Sequence, residues 1–123
     1  MGLFSRDTKK LNWKPLKSPN EVNDILSSEH PTLIFKHSTR CAISSMALSQ
    51  FEREWELEEY QCDLAFLDLI QHREASDFCE DKTGIVHQSP QAILIKNGEV
   101  LHHSSHQNIN AKIIANILLN DEN

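Results

Sequence analysis

Pro31-Thr32-Leu33-Ile34-Phe35-Lys36-His37-Ser38-Thr39-Arg40-Cys41-Ala42-Ile43-Ser44 is the stretch on which the reading of this chain turns. Thr32–Lys36 is too short and too continuously apolar for an amphipathic helix, so it reads as a buried central strand. The run breaks at His37-Ser38-Thr39-Arg40 and delivers Cys41 to the start of a helical segment. The first N–H groups of a helix lack internal partners and the helix dipole is positive there, so a thiolate at Cys41 is favoured. Arg40 adds a neighbouring cation. Three residues on, where a second cysteine would make a dithiol pair, stands Ser44. Serine cannot close an intramolecular disulfide, so the second thiol must come from another molecule. Ser44 is either an ordinary helix-surface serine or a hydroxyl donating to the thiolate one turn away.

Working outward, Leu11–Leu16 alternates like a short edge strand with proline near its end. Ser18 before Pro19 reads as an N-cap, with Val22, Ile25 and Leu26 on one helical face. After Cys41, residues Ile43, Ala47, Phe51 and Trp55 recur at i+4 and predict a buried helix face, with Glu52, Glu54, Glu56, Glu58 and Glu59 on its wet side. Cys62–Asp68 predicts another strand, and a Ser76-capped helix is expected to end at Gly84. Ala92–Lys96, Asn97-Gly98 and Glu99–Leu101 predict a β-hairpin, because Asn-Gly supplies the positive φ angles of a type I′ turn. Ile109, Ile113, Ile114, Ile117 and Leu118 then form the apolar stripe of a C-terminal helix. Helices between the first three strands imply parallel crossovers and the hairpin adds two antiparallel strands. The expectation is an α/β chain with a mixed five-stranded sheet and helices on both faces, residues 11–123 forming one domain behind a loose N-terminal arm, residues 1–10.

At 123 residues the chain is large enough to bury a core without disulfide or metal staples. A formal charge of −6 with scattered Lys and Arg argues against a nucleic-acid surface. No run approaches the eighteen or so apolar residues needed to cross a bilayer, and Arg6 stands where myristoylation wants Ser or Thr, so no membrane role is expected. Three cysteines do not make a disulfide framework and no basic-then-apolar leader precedes Asp7, which predicts a cytoplasmic protein, reduced at rest.

Cys41-Ala42-Ile43-Ser44 at a strand-to-helix turn, together with Ser89-Pro90 directly before the hairpin, resembles the thioredoxin superfamily. More closely, His37-Ser38-Thr39-Arg40-Cys41-x-Ile43-Ser44 with His87-x-Ser89-Pro90-Gln91 looks like the monothiol bacilliredoxin-like general stress proteins of bacillithiol-using bacteria, over roughly Trp13 to Leu118. The resemblance implies a thioredoxin-like fold in which Pro90 follows a cis bond and faces Cys41, and in which the backbone of Ser89 pairs with substrate. It implies that Cys41 attacks a mixed disulfide between a client protein and bacillithiol, takes the small thiol onto itself and is cleared by another bacillithiol. The partners are then bacillithiol, as co-substrate, and S-thiolated client proteins, with no tightly bound cofactor. Arg40 and Ser44 would support the thiolate. Thr39, Ser89, Pro90 and Ser105 would face the substrate, Ser104-Ser105-His106 leading into the last helix where related folds bind small-thiol carboxylates such as bacillithiol's malate unit. The family's proline after the cysteine is replaced here by Ala42, which adds one N–H near the sulfur.

Cys62 and Cys79 read as core filler. His37 either donates to the thiolate or simply ends the strand, and His87 is similarly open. His102 and His103 point to opposite faces of a strand, so with His106 they read as polar surface and no metal site is expected. Two competing functions remain: an iron–sulfur carrier of monothiol glutaredoxin type, and a redox-inert interaction module on the same fold.

Overall fold

The computed structural model describes residues 11–121, so the expected N-terminal arm lies outside the described residues. In chain order the elements are β1 (Trp13–Pro15), α1 (Pro19–Leu26), β2 (Thr32–His37), α2 (Ala42–Glu54), β3 (Asp63–Asp68), α3 (Arg73–Thr83), β4 (Gln91–Lys96), β5 (Glu99–Ser105) and α4 (Ala111–Asn120). The strands form one sheet in the order β1-β3-β2-β4-β5, with the β1–β3 and β3–β2 pairs parallel and the β2–β4 and β4–β5 pairs antiparallel. β2 is central, as its unbroken burial requires.

Alternate residues of each strand feed two cores. Leu33, Phe35, Leu64, Ala92 and Leu94 meet Phe51 and Trp55 at α2 and Ile114 and Leu118 of α4. Ile34, Ala65, Leu67, Ile93 and Ile95 meet Val22 of α1 and Ala75 and Cys79 of α3. On the first side Trp13, Phe35, Phe51 and Trp55 are in tilted, edge or stacked ring contact, each such pair adding about 0.5–1.5 kcal/mol beyond burial. Trp13 Nε1 also donates to Glu52 at 2.8 Å, tying the edge strand to α2.

Local signals set most boundaries. Ser18 Oγ accepts from the Glu21 N–H at 3.4 Å, Asn110 Oδ1 caps α4 through the Ile113 N–H at 3.0 Å, and Gly84 ends α3 at φ +75°. Three expectations need correction. α3 begins at Arg73, with Ser76 buried inside it: Asp68 Oδ1 accepts the Ile70 and Gln71 N–H groups and turns the chain into the helix earlier. α2 ends at Glu54, so Glu56, Glu58 and Glu59 lie in the following loop. Ile43, expected in the core, is 52% exposed, as is Ile113. Each i+4 step overshoots a helical turn by about 40°, so three steps carry Ile43 about 120° from Trp55. Phe51 and Trp55 are buried as expected and Ala47 packs against the core, while the buried position at the start of α2 belongs to Ser44 rather than Ile43.

The hairpin turns through Asn97 at φ +55° and Gly98 at φ +77°. A Cβ on Gly98 would lie 2.7 Å from the Leu26 carbonyl oxygen, whereas one on Gly84 would meet nothing within 4 Å. Gly98→Ala is therefore expected to destabilise by about 3 kcal/mol, backbone strain and collision together, against about 1 kcal/mol for Gly84→Ala. Urea denaturation of the two variants checks the ranking.

Candidate active site

Cys41 is the N-cap residue of α2, with φ −115° and ψ 119°, and its side chain makes no capping bond to the helix. Its backbone N–H donates to the Ser38 carbonyl at 3.2 Å and its own carbonyl accepts the Ser45 N–H at 3.1 Å. The N–H groups of Ala42, Ile43 and Ser44 are left at the open end of the helix, oriented toward the sulfur's end of the dipole. Thr39 and Arg40 are exposed on the turn before it, and the thiol is partly exposed.

The other two thiols are removed from this chemistry. Cys62 is 1% exposed, and burial first, then Asp63, pushes its thiol up to about 12. Cys79 is fully buried on the inner face of α3, and burial likewise raises its thiol, against a smaller opposing effect of Lys36. Neither reaches the thiolate readily at neutral pH.

Ser44 is fully buried rather than on the helix surface. Its Oγ accepts the Ser38 N–H at 3.1 Å and lies 2.6 Å from His37 Nδ1. His37 is 5% exposed at the end of β2, with its ring 5.4 Å from that of Phe66. Burial, the larger influence, lowers its imidazole below the usual 6.5, while Asp68 and Glu52 pull the other way. This His37–Ser44 bond has no signature in the sequence, since it spans seven residues and joins the end of a strand to the first turn of a helix.

The Ser89–Pro90 bond is cis. Lys36 pairs with Gln91 across β2 and β4, so the register places Pro90 opposite His37 at the end of the sheet from which the Cys41 turn departs. Ser105 pairs with Gln91 from β5, and the His106 N–H donates to the Pro90 carbonyl at 3.0 Å. Ser89, Pro90 and Ser105 thus share one sheet end with the Cys41 turn. Ser105 does not lead directly into α4: a 3-10 turn, His106–Asn108, intervenes, and Asn110 caps the helix. A groove of about 190 Å³ runs beside the first turns of α2, lined by Ile43, Met46, Gln50, His106 and Ile109. Helical periodicity alone hid it, because Ile43 reads as core.

Among the described residues no three His, Cys, Asp or Glu side chains converge as a metal set, and no helix is long and apolar enough to cross a membrane. The titrating imidazoles set a pH dependence of stability. His37, His87 and His102 are all lowered, chiefly by burial, so the unfolded chain binds protons more readily than the folded one just below pH 6.5. Their stabilising effect is complete above about 6.5 and is lost as pH falls through the lowered folded values. The denaturation midpoint is expected to drop over that window, and to drop less in His37→Phe, which keeps the ring packing on Phe66.

Comparison with known proteins bears on this geometry. A solved structure with a thioredoxin fold is 31% identical, the match covering 85% of this chain and 92% of that one at a TM-score of 0.74. Thioredoxin from Malassezia sympodialis matches at 12% identity, 90% and 91% coverage and TM-score 0.69, and thioredoxin from Trypanosoma brucei brucei at 16%, 91% and 92%, and 0.65. These two show the fold alone. The family model described as monothiol bacilliredoxin BrxC matches residues 14–114, which contain Cys41, Ser44, Ser89, Pro90 and Ser105. A thioredoxin fold carrying one accessible thiol at a helix N-terminus, and that match over most of its length, assign a thiol redox role: the chain belongs to the monothiol bacilliredoxin family.

Proposed function

We propose that this protein removes bacillithiol from S-bacillithiolated client proteins, with Cys41 as nucleophile. The observation that carries the reading is the pairing of one accessible thiol at the N-cap of α2 with a serine, not a cysteine, one turn later. The Cys41 thiolate attacks the bacillithiol sulfur of the mixed disulfide; the new S–S bond forms as the old one breaks, and the client cysteine leaves as a thiolate that takes a proton from water. Without a second internal thiol the adduct waits for an outside one, and attack by a second bacillithiol regenerates Cys41 and releases the oxidised dimer. Pro90, carrying no N–H, and the Ser89 backbone form the wall against which the incoming disulfide is aligned. Arg40 precedes the sulfur on the exposed turn, and the open N–H groups of α2 begin directly after it. Two buried, inert thiols and one reactive one suit a reducing cytoplasm.

The test is intact mass spectrometry after mixing the reduced protein with an S-bacillithiolated client. One bacillithiol adduct on Cys41 and a freed client thiol are expected, with the adduct cleared by added bacillithiol. Failure of transfer from the bacillithiolated client, with ready transfer from a client carrying another small thiol, would overturn the choice of bacillithiol.

A further inference from the structure

Between α3 and β4 the chain runs through Ile85–Ser89 in neither helix nor strand, yet this segment carries Ser89 and leads into Pro90. Side chains hold it in place of a ladder. From α3, Thr83 Oγ1 accepts the Ile85 N–H at 3.2 Å, Glu80 Oε2 accepts the His87 N–H at 3.0 Å, and Ser76 Oγ lies 3.4 Å from His87 Nδ1. From β4, Gln91 Nε2 donates to the Val86 carbonyl at 3.0 Å. The α3 contacts fix the segment only as far as His87. The Gln91 bond reaches back five residues from the position directly after Pro90 and closes His87, Gln88, Ser89 and Pro90 into a ring.

Its two ends are unequal. Gln91 is buried and opens β4, paired with Lys36 of β2 on one side and Ser105 of β5 on the other. Val86 is exposed and lies outside the sheet. The bond therefore ties a loose carbonyl to the most firmly held part of the fold. Its other amide atom, Oε1, is buried with no hydrogen-bond partner among the described residues. The gain from one hydrogen bond is thus offset by a bare buried oxygen, and an apolar side chain of equal length would fill the space without that cost. Stability alone does not call for an amide here, and unsatisfied buried groups of this kind gather at functional sites.

We propose that Gln91 is the positioning residue of the Ser89–Pro90 wall: its amide draws the Val86 carbonyl toward the sheet and so fixes where Ser89 presents its backbone to a disulfide at Cys41. The His106 N–H, donating to the Pro90 carbonyl at 3.0 Å, holds the far side of the same wall. Without the amide the Pro90 end stays anchored while the Val86 carbonyl turns to water and Ser89 shifts with it. The sulfur stands on a different segment, so its own reactivity is unchanged. A misplacement of about 1 Å at a reacting centre can cost about 10²-fold in rate. The proposal rests on the Ser89–Pro90 wall as the surface that aligns the disulfide, but on no particular small thiol.

The test compares two reactions of Cys41 in the native full chain and in Gln91→Met, which keeps an unbranched side chain of similar reach without the donor. Iodoacetamide needs only the sulfur, whereas transfer from a mixed disulfide needs the wall. Two disulfides of one client are used, with bacillithiol and with mercaptoethanol. Gln91→Met is expected to alkylate at the native rate with the native pH profile, and to accept either small thiol about tenfold or more slowly. If it fails to fold, Gln91→Glu makes the same comparison, its ionised carboxylate facing Lys36 and supplying no hydrogen to Val86. Transfer at the native rate in the folded variant overturns the proposal, even where the melting midpoint falls, because Gln91 then serves packing alone. So does a parallel fall in alkylation and transfer. Native transfer from the mercaptoethanol disulfide with none from the bacillithiol one overturns instead the choice of bacillithiol, and the variant is then judged on the disulfide the protein accepts.

Discussion

Cys41→Ser is expected to reduce small-thiol transfer to the uncatalysed background, while Cys62→Ser and Cys79→Ser keep most of the turnover of the folded molecule. A serine at 41 keeps the shape of the turn and the open end of α2 but supplies a hydroxyl that does not ionise at neutral pH, so no thiolate and no mixed disulfide form. The other two substitutions act on stability. Cys62 and Cys79 are 1% and 0% exposed, and burying a hydroxyl without a partner in place of sulfur costs about 1–3 kcal/mol, less at position 62, where the Asp63 carbonyl that accepts from the thiol at 3.4 Å can accept from the hydroxyl. Melting midpoints should therefore fall in Cys62→Ser and Cys79→Ser and hold in Cys41→Ser, while activities fall in the opposite pattern. Loss of turnover in a folded Cys79→Ser protein would reveal a resolving thiol and refute the one-thiol mechanism. Alkylation gives the same contrast, with one thiol reacting in the native protein and two more only in denaturant.

Much of this was legible in the sequence because its signals are local. Asn97-Gly98 names its own turn, Ser18-Pro19 and Gly84 mark helix ends, and Thr32–Lys36 can only be a strand buried on both faces. The Cys-x-x-Ser spacing and Ser89-Pro90 are likewise short-range patterns, and they suffice to bring the thioredoxin-like fold into view. What escaped depends on contacts between distant segments. Ser76 looks like a cap, but Asp68 captures the preceding turn first and Ser76 ends beneath the sheet beside His87, its Oγ 3.4 Å from Nδ1. Ile43 looks like core, yet the buried position at the start of α2 belongs to Ser44, because His37 and the Ser38 N–H satisfy its hydroxyl there. A hydrophobicity pattern assigns burial to the apolar residue, and a polar one displaces it only when the fold supplies partners.

Lys36 is the sharpest case of a residue the pattern places correctly and the chemistry resists. It lies in the central strand on the face opposite Phe35, fully buried, directly across from Gln91, and its Nζ has no hydrogen-bond partner among the described residues. Burial pushes its ammonium below the usual 10.5, and Cys79, Glu80 and Asp77 only partly oppose this. A buried charge so poorly paired destabilises the fold, and methionine offers the same unbranched reach without it. Lys36→Met is accordingly expected to stabilise the protein by about 1–4 kcal/mol at neutral pH. The sign of the pH dependence follows. In the folded chain the amine gives up its proton at a lower pH than in the unfolded chain, so native stability rises as pH climbs from the folded value toward 10.5. The advantage of Lys36→Met should shrink over the same range. Urea denaturation of both proteins at neutral and alkaline pH reads the two effects together. A Lys36→Met protein less stable than the native one at neutral pH would show that the ammonium is held by a strong partner, and that the buried charge supports the fold rather than straining it.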